Sequence, residues 1–211
     1  MTDSKNIQKI ILIISTLIFL LLTVLVLSNR NLILDEKIYS FISTHFINDK
    51  TTKIVKELTE FGSAKIMFLV FLTIFLVNKN RMIGLSVGIN LLLSSNINFW
   101  IKQIIRRPRP QGIMLIEQSG FSFPSGHTMT SMAFYGFLIY LTYKYIENKY
   151  LKVTIITILT ILIISIAISR IYLGVHYATD VLGGIFGALV YLIIFINVIN
   201  KYKLLNLKSQ K

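Results

Sequence analysis

The sequence predicts an all-α integral membrane protein: one domain over residues 1–211, with six transmembrane helices and an amphipathic interfacial segment between the first and second. Three observations carry this expectation. The 211 residues are 54% hydrophobic, with a mean hydropathy of +0.69. Several stretches approach or exceed the ~18 apolar residues that suggest a bilayer span. The polar residues between them gather in short, mostly basic segments. A soluble helical core would need helices with polar faces, whereas residues 10–27 hold only Ser15, Thr16 and Thr23 as polar side chains.

The first span, about 9–28, follows a head with Lys5 and Lys9. It is longer than the ~7–15 apolar residues of a signal-peptide core, and no small-x-small cleavage site follows, so it is read as retained. The second and third, about 64–78 and 82–101, are joined by the tight loop Asn78-Lys79-Asn80-Arg81. The fourth, fifth and sixth run about 125–143, 152–169 and 178–199, with Lys144 to Lys152 as the loop between the fourth and fifth. Between spans one and two, residues 29–63 differ. Ile38, Phe41, Ile42, His45 and Phe46 recur at helical spacing, as do Ile54, Val55, Leu58 and Phe61. This pattern fits one or two amphipathic helices in the interface, or an extramembrane cap. His45 belongs to that stripe and is expected to be structural. Gly84-x-x-x-Gly88 and Gly183-x-x-x-Gly187 match the close-packing pattern of membrane helices and are read as packing within one bundle.

The net charge is +13. In a soluble chain that would suggest nucleic acid, but here the cations lie between spans, where they serve topology and contact lipid headgroups. No nucleic-acid partner is expected. With no cysteine, disulfide and thiol chemistry are excluded. Six spans put both termini, 78–81 and 144–152 on one face, and 29–63, 102–124 and 169–178 on the other. Each face carries eleven Lys plus Arg. Setting aside Lys102, Arg106, Arg107, Arg109 and Arg170 as site cations leaves eleven against six, which places the termini in the cytoplasm and the other face outside.

Three polar islands lie on that second face. They are Lys102 to Pro110, Pro124-Ser125-Gly126-His127, and Ser169-Arg170 with His176 and Asp180. All three prolines and two of the three histidines lie in them. His176 and Asp180 are four apart and share a face if that segment is helical. A carboxylate on one imidazole nitrogen fixes the tautomer and frees the other to attack; the plainer role of Asp180 is to cap the last helix. His127, at the mouth of the fourth span, is placed to protonate a leaving oxygen. Gly126 lets backbone approach a ligand, Ser125 adds a hydroxyl, and the helix N-terminus offers free N–H groups to an anion. Lys102, Arg109 and Arg170 form a phosphate clamp. Arg106 and Arg107 are counted among the site cations, but their plainer reading is an interfacial basic patch for lipid headgroups. The acidic residues are scattered apart from Asp35-Glu36, so no metal site and no cofactor is expected.

These motifs resemble the type 2 phosphatidic acid phosphatases. That family's signature is Lys, six residues, Arg-Pro; Pro-Ser-Gly-His; and Ser-Arg, five residues, His, three residues, Asp. Lys102 with Arg109-Pro110, Pro124 to His127, and Ser169-Arg170 with His176 and Asp180 match it at every spacing. The resemblance implies His176 as nucleophile through a phosphohistidine, Asp180 orienting it, His127 as general acid, and Lys102, Arg109, Ser125, Gly126 and Arg170 holding phosphoryl oxygens. Size and layout resemble small bacterial members of the plasma membrane with an outward-facing site. Those act on a membrane lipid phosphate such as phosphatidylglycerol phosphate, phosphatidic acid or undecaprenyl diphosphate. Phosphoryl transfer between lipids, a vanadium haloperoxidase and a transporter with a basic vestibule are the competing readings.

Overall fold

The structure is a computed structural model that describes residues 2–28, 32–112, 114–202 and 205. The predicted segment's residues 29–31 and the C-terminal cations Lys203, Lys208 and Lys211 lie outside the described residues. Among the described residues, eight α-helices form: α1 (Thr2–Ser28), α2 (Ile33–Phe46), α3 (Asp49–Thr59), α4 (Ala64–Val77), α5 (Arg81–Ile105), α6 (Gly126–Tyr145), α7 (Lys149–Tyr172) and α8 (Ala178–Lys201). A single 3-10 turn, Glu60–Gly62, joins α3 to α4. No strand occurs among the described residues.

The starts are written locally. Asn48 caps α3 by accepting from the Thr51 N–H, Ser63 caps α4 from Ile66, Asn80 caps α5 from Met82, and Asn148 caps α7 from Leu151. Each side-chain oxygen satisfies a backbone donor that has no partner inside the helix. The α5 end is less usual. Arg106 adopts φ 52, ψ 38, and the chain leaves the helix there through a left-handed residue.

The six segments predicted as spans fall on α1 and α4 to α8; α1 begins seven residues before its predicted start, and the other ends agree within four residues. Four of these helices, α1, α5, α7 and α8, are long and apolar enough by themselves to cross a membrane. The stretch Asp49–Gly62 followed by Ala64–Val77 reaches that length only as a pair bent by 51°. The remaining helix, α6, has polar side chains through its first turns and lies against α5, α7 and α8. A helix enclosed by other helices needs less apolar surface than one facing lipid. By contrast, Leu17, Leu20, Leu21 and Val24 on α1, and Ile158, Ile161 and Ile164 on α7, are exposed. Apolar surface on that scale, on helices of that length, belongs in a bilayer, and the protein is a multi-pass membrane protein.

The core lies around α6, where Phe134, Phe137 and Ala133 meet Val87 of α5, Ile166 of α7 and Phe195 of α8. The Gly84-x-x-x-Gly88 motif packs within the bundle as expected. A Cβ on Gly84 would lie 2.7 Å from the Phe75 backbone, and one on Gly88 would lie 2.6 Å from the Phe71 ring. At the other motif, Gly183 lies against the Phe123 ring and Gly187 against Phe19. The first contact seats α8 against the loop that enters α6, which brings two of the islands together, and the second seats it against α1.

Candidate active site

The three islands meet at one end of the bundle. Arg170 belongs to the last turn of α7, which runs three residues beyond the predicted span end, because its side chain is enclosed. It is 1% exposed; its guanidinium donates to Thr59 Oγ1 at 2.8 Å and to Gln118 Oε1 at 3.0 Å. Its Nε is buried without a hydrogen-bond partner. An unpaired buried donor is costly unless a ligand oxygen completes it.

His176 lies in the turn between α7 and α8, so it does not share a helix with Asp180. The pairing survives: His176 Nδ1 is 3.4 Å from Asp180 Oδ2, which also accepts the Tyr177 N–H at 2.9 Å. Asp180 is therefore both the helix cap and the imidazole partner. Nε2 of His176 faces Arg109, whose Nη1 is 3.2 Å away. Burial, and then Lys102, Arg109 and Arg170, push His176 well below the ordinary imidazole value. The ring is thus neutral at physiological pH, as a nitrogen nucleophile must be.

The other two residues predicted as a phosphate clamp are held by main-chain carbonyls. Arg109 donates to Ser119 O, Gly120 O and Val175 O at 2.8 to 3.2 Å. Lys102 Nζ donates to Phe121 O at 2.5 Å and to Ser122 O at 3.0 Å. Cations pre-set in this way need little reorganisation to receive an anion. Ser125 is fully buried at the entry to α6; its N–H donates to Asp180 O at 2.9 Å and its Oγ accepts from Thr128. The peptide bond between Phe123 and Pro124 is cis. A Cβ on Gly126 would lie 3.1 Å from Asn98 Oδ1 and 3.7 Å from Lys102 Cε, so this backbone passes directly beside the clamp.

His127, half-buried in the first turn of α6, lies within electrostatic reach of Arg170, His176, Arg109 and Lys102. Its ring makes no hydrogen bond to a described residue. The 3-10 turn sits behind it. A Cβ on Gly62 would lie 2.7 Å from Ile166 Cγ2 and 3.0 Å from both His127 Cδ2 and Ser131 Oγ. Gly62→Ala is expected to cost about 1–3 kcal/mol by overpacking and to displace the His127 ring. Thermal unfolding and turnover of a phosphomonoester check this, with kcat falling more than KM rises.

The structure corrects the expectation for Arg107. It is no headgroup patch. Arg106 remains exposed at the helix end, but Arg107 is 1% exposed, since the left-handed turn at Arg106 directs the next side chain inward. Its Nη1 donates to Asp180 Oδ1 at 2.7 Å and to Thr179 Oγ1 at 2.7 Å, and its Nη2 donates to Asp35 Oδ2 at 2.8 Å. A second carboxylate joins the site, because Asp35, 2% exposed, reaches Asp180 through this guanidinium. The signal for Asp35 was present in the sequence: three residues before Ile38 and seven before Ile42, it is an acid on the apolar stripe of α2. His45 lies exposed on α2, its Nδ1 2.9 Å from Phe41 O.

Fold and site together define an all-helical membrane protein in which an imidazole–carboxylate pair faces a second imidazole and a set of fixed cations. The chain belongs to the PAP2 superfamily, whose model matches residues 83–203; this is the type 2 phosphatidic acid phosphatase family that its motifs resemble. Phosphatidylglycerophosphatase B of Bacillus subtilis (strain 168) is 39% identical over 90 residues, 42% of this chain and 44% of that protein. Sphingosine-1-phosphate phosphatase 1 of Rattus norvegicus is 29% identical over 142 residues, 65% of this chain and 32% of that protein. The matched stretches thus span less than half the length of these curated relatives. Among solved structures, a transmembrane PAP2-type phosphatidylglycerolphosphate phosphatase from Bacillus subtilis superposes with a TM-score of 0.82 at 26% identity, covering 95% of this chain and 98% of that one. Aquifex aeolicus LpxE shares the fold, with a TM-score of 0.64 at 20% identity over 79% of this chain and 97% of that one.

Proposed function

We propose that this protein is a membrane lipid phosphatase that hydrolyses a lipid phosphomonoester or diphosphate through a phosphohistidine, without a metal. The observation that carries the reading is the buried His176, with Asp180 on Nδ1 and the Arg109 guanidinium 3.2 Å from Nε2. A phosphoryl oxygen held by Arg109 lies beside the attacking nitrogen. His176 Nε2 attacks phosphorus and the bond to the leaving oxygen breaks. His127 gives its proton to that oxygen. Asp180 stabilises the charge that His176 acquires. Water then attacks the phosphohistidine, His127 takes the water's proton, the P–N bond breaks, and phosphate leaves with His176 neutral again. Lys102, Arg109, Arg170, the Ser125 hydroxyl and the Gly126 backbone stabilise charge on the phosphoryl oxygens.

In this reading α1 and α4 to α8 all cross the bilayer, and α2 and α3 lie in its interface beside the site. The charge count supports cytoplasmic termini and an extracytoplasmic site. Phosphatidylglycerol phosphate is the first substrate to test, because the full-length structural likeness is to a phosphatase named for it. The experiment is phosphate release by the purified protein in detergent with excess EDTA, from phosphatidylglycerol phosphate, phosphatidic acid and undecaprenyl diphosphate. Release from at least one lipid with EDTA present is expected, and the ranking of kcat/KM names the substrate. Strict dependence on a divalent metal contradicts the mechanism.

A further inference from the structure

Asp35 and Arg107 lie outside the three matched motif positions, and no step above uses them. Yet with Asp180 they form a fully buried charge cluster directly behind the imidazole. Charges withdrawn from water are costly, and an apolar filling of the same space is often at least as stable. Their geometry is directed at Asp180. One amine of the Arg107 fork holds Asp180 Oδ1, which leaves Oδ2 to face the Tyr177 N–H and His176 Nδ1. The other amine is held by Asp35. Asp35 also accepts from the Thr179 N–H and from its hydroxyl, both at 2.8 Å, and so grips the turn of α8 that carries Asp180. The Tyr177 ring covers the guanidinium, with its centroid 3.9 Å from Cζ.

We propose that Asp35 and Arg107 are positioning residues, which fix the orientation and ionisation of Asp180 and through it the tautomer and basicity of His176. The α2 helix thereby completes the catalytic apparatus from the opposite end of the sequence. The inference rests on His176 being the nucleophile. A planar fork is required, because one ammonium cannot hold two carboxylates in fixed directions. The same three residues line up as carboxylate, guanidinium and carboxylate, leaving one net negative charge behind the imidazole. The charged or titratable groups that face His176 and Asp180 are Asp35 of α2, Lys102 of α5, Arg107 and Arg109 of the following loop, His127 of α6, Arg170 of α7, and Tyr177, which Glu36 of α2 faces in turn.

The signs follow. Removing the Arg107 cation makes any neighbouring group harder to deprotonate, so the acid limb of the kcat profile moves to higher pH. Removing the Asp35 anion moves it to lower pH. Both hold whether the limb reports His176 or Asp180. The experiment is the kcat–pH profile of the full chain in detergent on a lipid phosphate, for Arg107→Met, Arg107→Lys and Asp35→Asn. Both charge-removing variants are expected to lose roughly 10–100-fold in kcat, the usual effect of removing an outer partner that orients a catalytic group. KM is expected to change by less than about threefold, and the limbs to move in opposite directions. Arg107→Lys restores the limb position with only part of the kcat. Limbs that stay in place, or move the same way, overturn the proposal, as does unchanged kcat. Asp35→Asn keeps the side-chain shape and decides the sign alone if Arg107→Met does not fold. If wild type releases no phosphate, the phosphatase reading itself fails; if His176→Ala still releases it, the assignment of His176 as nucleophile fails. Wild-type profiles in variants of an active, His176-dependent enzyme count against the pair only.

Discussion

His176→Ala is expected to abolish lipid phosphate turnover, by roughly 10⁴-fold or more, the scale seen when the nucleophile is removed from a unit that acts together. The protein should still fold. His176 is buried, but its side-chain hydrogen-bond partners Asp180 and Arg109 both have other partners. Asp180 retains the Arg107 guanidinium and the Tyr177 N–H, so no charge is left bare in the interior. Arg109 retains its carbonyls, so the variant should still bind a lipid phosphate. Loss of kcat with retained substrate binding, at an unfolding temperature close to wild type, separates this outcome from misfolding. Residual turnover within tenfold of wild type removes His176 from the nucleophile's role.

The second large effect is expected at His127, and it depends on the leaving group. A positioned general acid contributes typically ~10²–10⁴-fold. An alkoxide is a poor leaving group and needs the proton. The phosphate oxygen of a lipid diphosphate leaves as a stabilised anion and needs it far less. His127→Ala should therefore lose about 10²–10⁴-fold on phosphatidic acid and much less on an aryl phosphate or a diphosphate. Parallel kcat measurements on both substrate types check this. An equal loss on all of them assigns His127 to binding rather than to proton transfer. The free ring nitrogens of His127 and its support by the Gly62 turn suit the proton-transfer role.

Much of this architecture was legible in the sequence because it is local. Uninterrupted apolar runs set the helices, and Asn48, Ser63, Asn80 and Asn148 mark where four of them begin. The three islands were recognisable because phosphate chemistry needs fixed cations and imidazole. Arg107 was not legible, because it looks the same as Arg106 in a basic run. What separates them is one left-handed residue at the end of α5, which leaves one side chain at the surface and buries the other. Asp35 stands 145 positions before Asp180, and no periodicity joins two acids through a third residue. The supports of Arg170, Thr59 and Gln118, come from segments far apart in the chain. The helix α6 illustrates the converse: its polar first turns weaken its hydropathy, yet those side chains pack at the site and not against lipid.

The most direct test of the account is to trap the covalent intermediate. The purified wild-type protein, with excess EDTA and labelled phosphatidylglycerol phosphate, is quenched on the millisecond scale with alkaline detergent, which preserves phosphoramidates, and the labelled peptide is sequenced by mass spectrometry. The account predicts acid-labile, base-stable phosphate on His176, absent from His176→Ala. Turnover without any phosphoenzyme, or label on a residue other than His176, contradicts it.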